Sequence, residues 1–277
     1  MSNYSKDVFF LPWVGDNYAN GWKLQNNKIT NAGNNGDFCV MVTGEEGYCT
    51  KEYVQDRNNE EKILFTSTQY NNPKQCTMNL GFNNCANLMI CKNKTINMVH
   101  AHIQNKFDRY KQKKNGLWPH NAKSMSKFEK EFYKNILTPN KGKIGGDERR
   151  QIWNYLLFNN FFQCGVRSQD EGYNKNLRNL YSKKSYDAFI SILTIHKPHI
   201  VFVMGKNTKK VINNNLCINM IKQEQDNMKC VSFSNTNYLL VFIPHSSPRN
   251  RNLNNDISIL ILTAFKFAQN LRQQKLL

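Results

Sequence analysis

Four short apolar runs, each ending in turn chemistry, constrain this chain more than any other feature. They are "DFCVMVTG" (37–44), "WNYLLFNNFF" (153–162), "PHIVFVMG" (198–205) and "NYLLVFIP" (237–244). A strand with one face in water alternates apolar and polar residues. A run that is apolar throughout, and rich in Val, Ile and Phe, suits a strand buried on both faces of a parallel sheet. The second run is ambiguous, because "DERRQIWNYLLF" also reads as a helix leading into the strand. Helical patterns lie between the runs. "NMVHAHIQNKFDRYKQKK" (97–114) is apolar on one face with a basic tail, and "KSYDAFISILTIHK" (184–197) carries Phe189, Ile192, Leu193 and Ile195 at near-helical spacing. "DISILILTAFKFAQNLRQQK" (256–275) is a strong apolar helix with Asp256 as its N-cap. Strands alternating with helices predict an α/β three-layer sandwich, with a short, mostly parallel four-stranded sheet flanked by helices.

The 277 residues read as one domain, 1–277, with polar, Asn- and Lys-rich insertions near 50–95 and 114–150. Apolar residues make up 40%, enough for a core. No apolar run approaches the roughly 20 residues that cross a bilayer. The amino-terminal "MSNYSKDVFFLPWVGDNY" lacks the pattern of a signal peptide, so a cytoplasmic location is expected. Eight cysteines (39, 49, 76, 85, 91, 164, 217 and 230) form no CxxC pair and no trusted metal spacing. They read as free, mostly structural thiols in a reducing compartment.

Lys and Arg number 38 against 20 acids, a net charge of +18. AT-rich coding would raise Asn and Lys, but it would raise Glu as well, and acids are scarce. The excess therefore points to a polyanionic partner, since neutralised phosphates release condensed counterions. No basic amphipathic anchor suggests a membrane. No obligate protein partner is evident.

In parallel α/β sheets ligands bind beyond the carboxyl ends of the strands. The segments delivered there are "TGEEGYCT", "NNFFQCG", "GKNTKK" and "PHSSPRNRN". Together they hold two carboxylates, amides, a histidine, hydroxyls and basic groups, an active-site inventory. Either Asn159 or Asn160 can offer an amide donor and acceptor together, and strand register decides which of them faces the ligand side. Lys206 opens a helix whose N-terminus could hold a phosphate. No nucleophile elbow, P-loop or metal motif points to a hydrolase of another type.

These segments resemble the uracil-DNA glycosylase superfamily. "HSSPRNRN" is similar to the HPSPRN motif of the single-strand-selective monofunctional enzymes, with Ser246 where the family has Pro. "VTGEEGYCT" sits where the family has its first motif. With "LPWVGDNY" ahead of it, it resembles a branch carrying Gly-Glu-Ser-His-Tyr. "KPHIVFVMG" resembles the third strand, and the matches fall in the family's order.

The resemblance implies a monofunctional, cofactor-free and metal-free DNA glycosylase that flips a nucleotide from duplex or single-stranded DNA into a pocket. Glu45 or Glu46, with Glu45 favoured, would orient water or offset the cationic sugar. His245 would donate to the departing base. Gly44 would allow close backbone approach, Asn159 or Asn160 would pair with a pyrimidine edge, and Tyr48 would wall the base pocket. Ser246 and Ser247 would bind phosphate, Arg249 would fill the vacated stack, and Asn250 and Arg251 would add backbone contacts. Uracil is the implied base. The departures at Ser246 and in the Glu-Glu-Gly turn leave room for a modified pyrimidine. One example is glucosylated hydroxymethylcytosine in phage DNA, which would give an antiviral role. The reading of another class is a nucleic-acid-binding protein that has lost catalysis.

Overall fold

The computed structural model describes residues 4–31, 36–48, 94–104, 119–137, 146–166, 171–216, 220–244 and 254–277. The strands are β1 Trp13–Val14, β2 Trp22–Gln25, β3 Lys28–Asn31, β4 Val40–Tyr48, β5 Leu156–Val166, β6 Ile200–Met204, β7 Met220–Gln225, β8 Met228–Phe233 and β9 Thr236–Ile243. The helices are α1 Lys94–Ile103, α2 Pro119–Tyr133, α3 Gly146–Arg150, α4 Glu171–His196, α5 Lys206–Asn215 and α6 Asn254–Gln273.

Among the described residues the main sheet has seven strands in the order β1-β5-β4-β6-β9-β8-β7. Its four central strands, β5, β4, β6 and β9, are the four expected from the apolar runs, and they are mutually parallel. Their continuous apolar character reflects burial on both faces: all five residues of β6 and the last six of β9 are buried. The fold is therefore α/β with a mostly parallel mixed sheet flanked by helices. The expectation of four strands is corrected by three antiparallel additions. β1 pairs with β5 at one edge, and the β7–β8 hairpin extends β9 at the other. β2 and β3 form a separate hairpin.

Alternation along the strands divides the core. Val40, Val42, Phe158, Phe202 and Val241 face one layer, where they meet Val99 of α1, Phe128 and Phe132 of α2 and Phe265 of α6. Met41, Leu157, Val201, Val203 and Leu240 face the other, packed on Phe189, Ile192 and Leu193 of α4 and Ile212 of α5. Burying one Phe or Leu in such a layer contributes roughly 1.5–3 kcal/mol.

Several boundaries differ from the sequence expectation. The expected insertion 114–150 contains α2, whose Met125, Phe128 and Phe132 are fully buried. The ambiguous run resolves into the short helix α3, a 3-10 turn over Gln151–Tyr155, and β5. Asp256 lies inside the first turn of α6 rather than ahead of it, where a negative charge still favours the helix dipole. α4 begins well before residue 184.

Two polar devices fasten these layers. In the first, Glu129 of α2 is buried with His102 of α1 (Nε2 to Oε2 2.8 Å), accepts the Trp153 indole N–H at 3.3 Å, and lies 3.8 Å from Arg149 Nε of α3. In the second, the Gln163 side chain of β5 accepts the backbone N–H groups of Phe9 and Phe10 at 2.9 and 2.8 Å and donates to the Asn160 carbonyl. The amino-terminal segment is thereby held across the end of β5. At the amino end of the sheet, the Cys39 N–H donates to His199 Nδ1 at 3.0 Å. Burial pushes the His199 imidazole below its usual range and nearby Arg272 adds to this, while Asp37 opposes it. Among the described residues no helix is long and apolar enough to cross a membrane.

Candidate functional site

Strand order reverses at β4. The chain leaves β4 for β5 on one side, and β6 and β9 lie on the other. The crevice beyond the carboxyl ends of β4 and β6 is thus the topological switch point, where open α/β sheets bind ligands. Glu45 sits there. The register Thr43↔Val203 brings Glu45, two residues on, level with Gly205 at the end of β6. Glu45 shares the face of Met41 and Thr43, toward α4 and α5. It was expected in a loop, but it lies within β4, held by pairing with β5.

Asn207, Arg178 and Gly205 lie against the carboxylate. Asn207, in the first turn of α5, donates from Nδ2 to Glu45 Oε1 at 2.5 Å. Arg178 of α4 places Nε 3.9 Å from the same oxygen, and each side chain of this pair is 12% exposed. Gly205, with φ 103°, presents a bare Cα against the carboxylate; a Cβ there would overlap Oε2. Gly205 is also the N-cap of α5 and supplies no side-chain cap. The helix dipole at this end favours a negative charge, and Glu45 brings one. The phosphate seat expected at the start of α5 therefore has a carboxylate of the protein itself against it. Lys206, the first residue of that helix, is exposed at the rim.

The two asparagines point to opposite faces. Asn159 pairs with Thr43 on the Glu45 side, where the Thr43 hydroxyl donates to Asn159 Oδ1 at 2.8 Å. Its Nδ2 is fully buried without a hydrogen-bond partner. Asn160 faces the α1 layer, donates from Nδ2 to Thr95 Oγ1 at 3.0 Å, and keeps a buried Oδ1 without a partner. Gly44 lies on that same face. A Cβ there would meet Phe158 Cζ at 3.0 Å and Asn160 Oδ1 at 3.4 Å. A side chain at 44 would thus press on the packing between β4 and β5.

Glu46 and Tyr48 continue β4, with a register shift between Glu46 and Gly47. His245, Ser246, Ser247, Arg249, Asn250 and Arg251 lie outside the described residues. β9 runs parallel to β6 and ends at Ile243, so the chain enters that segment at the same carboxyl edge as Glu45. Among the described residues no group of three or more His, Cys, Asp or Glu side chains is gathered as a metal site.

Sequence reasoning missed Arg178 and the role of Gly205. Arg178 lies on a helix far from Glu45 in the chain, and nothing in its basic surroundings sets it apart. The sequence shows a helix start at Lys206, and the glycine before it is the one local signal. Comparison with protein-family models, curated proteins and solved structures found no match to this chain.

Proposed function

We infer that the protein is a monofunctional DNA glycosylase acting on uracil or a modified pyrimidine. The observation that carries this reading is the Glu45 carboxylate at the switch point, with the unpaired Asn159 amide on the same face of the sheet. The net charge of +18 supports a polyanionic substrate.

The chemistry follows from these groups. Flipping a nucleotide out of a duplex costs a few kcal/mol in stacking and pairing. The bond from C1′ to the base nitrogen breaks with its electron pair leaving on the base, and positive charge builds on the sugar. Glu45 offsets that charge and orients a water, which delivers hydroxide to C1′ while its proton goes to the departing base. Asn159 Nδ2 is a buried donor with no partner, and it would reach a base carbonyl once the packing over it opens on substrate entry. His245, two residues past the end of β9 in the sequence, would donate to the base as its charge develops. The absence of a side chain at Gly205 lets the carboxylate lie close to the sheet end, where water is partly excluded and its field is stronger.

The test is incubation with duplex and single-stranded oligonucleotides carrying uracil, thymine mispaired with guanine, hydroxymethylcytosine or its glucosylated form. Abasic sites are read as alkali-labile breaks. Excision of one base, lost in Glu45→Gln by roughly 10²-fold or more, is the expected result. Salt-sensitive DNA binding with no excision of any base would instead favour a non-catalytic nucleic-acid-binding protein.

A further inference from the structure

We propose that Arg178 and Asn207 are positioning residues that keep Glu45 an oriented anion when nucleic acid arrives. For its catalytic consequence this rests on the glycosylase reading; the holding of the carboxylate does not. A carboxylate that stabilises a cationic sugar must stay ionised. A DNA strand entering the crevice brings phosphates, and like charges nearby favour protonation of a carboxyl group. A cation within about 4–6 Å opposes that. Arg178 is the cation that α4 brings, 3.9 Å from Glu45 Oε1. α5 contributes the neutral Asn207 amide, β6 contributes Gly205, and β5 and β4 contribute the neutral Asn159–Thr43 pair. Lys206 of α5 is exposed and therefore screened.

The geometry divides the labour. Asn207 donates to Oε1 and fixes the carboxylate plane, a directional task. Arg178 stands beyond hydrogen-bond distance at Nε and acts mainly as charge. Both side chains of the Glu45–Arg178 pair are largely buried, so the pair is screened less than one on the surface. The bare Cα of Gly205 supplies the space. These partners come from two elements on the same side of the sheet, and they leave the amide of Asn159 without a share in them.

The experiment uses full-length protein with Arg178→Gln, Arg178→Lys, Asn207→Ala and Asn207→Asp. Single-turnover excision is followed from about pH 5 to 8, and DNA affinity is measured in parallel. Arg178→Gln should slow excision about tenfold or more at neutral pH, and its acid limb should move up by about one pH unit or more. Arg178→Lys keeps the charge and should recover most of that shift. Asn207→Asp sets a second carboxylate beside the first and should move the limb up furthest, and Asn207→Ala, which removes a hydrogen bond to the charged form, should lower the rate and move the limb up by less. DNA affinity should change little in any of them.

A second readout is independent of catalysis. In protein labelled with ¹³C at glutamate carboxyls, the Glu45 signal is identified by its loss in Glu45→Gln and titrated with and without Arg178. A Glu45 carboxyl that takes up its proton at the same pH in both overturns the proposal, as does an unmoved acid limb in Arg178→Gln. If the wild type excises no base, the glycosylase reading falls. A carboxyl that titrates higher in Arg178→Gln then still upholds the holding role.

Discussion

Replacing Gly205 with alanine tests the close contact at the switch point in terms of stability. The residue has φ 103°, a region that a side chain enters at a cost of about 1–3 kcal/mol. The new methyl group would also overlap Glu45 Oε2, with Cβ and Cδ of the same side chain each 3.1 Å away. A shift of the terminal oxygen alone does not relieve that, so the whole side chain must withdraw. It then loses the charge-assisted hydrogen bond from Asn207, worth about 1.5–3 kcal/mol. Gly205→Ala is therefore expected to destabilise by roughly 3–5 kcal/mol. Glu45→Ala alone loses the same hydrogen bond and costs about 1.5–3 kcal/mol. In the double variant the backbone strain stays but the clash is gone, and the hydrogen bond is lost once rather than twice. The pair should fall short of additivity by about 1.5–3 kcal/mol. Urea unfolding of the four proteins measures this from midpoints at a common slope. Costs that add to within about 0.5 kcal/mol would refute the contact.

Four further outcomes are expected. Thr43→Val removes the hydroxyl that donates to buried Asn159 Oδ1 and should cost about 1–3 kcal/mol in urea unfolding; a neutral result would deny that hydrogen bond. Glu129→Leu removes the buried carboxylate that pairs with His102 and accepts the Trp153 indole N–H, and should cost about 1–3 kcal/mol or more, seen as a lower thermal midpoint. The folded state holds His199 below its usual range, so folding binds fewer protons there than unfolding does. That stability is present above about pH 6.5 and is lost as pH falls through the lowered value, and His199→Gln should flatten the loss in acid unfolding curves. DNA binding should weaken steeply between about 50 and 200 mM salt, and an affinity indifferent to salt would argue against phosphate contacts.

The central sheet was legible because strands buried on both faces are mostly apolar, which leaves apolar runs interrupted only by a few residues such as Thr43, Asn159 and Asn160. β7 carries Lys222 and Gln223 at an exposed edge, so its sequence keeps no such run. α2 was hidden for a similar reason. "PHNAKSMSKFEKEFY" buries Met125, Phe128 and Phe132 on one stripe, and its many charged residues made it read as an insertion. At the site, Glu45 could be found from the turn glycine and the strand before it. The choice between Asn159 and Asn160 needed the register of β5 against β4, which no local pattern contains. Arg178 needed the packing of α4 over the sheet, a contact between distant parts of the chain.

The amino-terminal segment lies against a partner made much later. Phe9 and Phe10 are held by Gln163, and Trp13 faces Phe158 across the β1–β5 ladder. On a ribosome the first strand of this sheet emerges long before the strand it pairs with. β1 therefore has to wait, unpaired, until β5 has been synthesised. With only two residues in the ladder, it presents little backbone to a wrong neighbour during that interval. Once seated, it covers the outer edge of β5 at Leu157 and Phe158, so a short piece of chain delays the closing of the sheet during synthesis and guards the start of that edge afterwards.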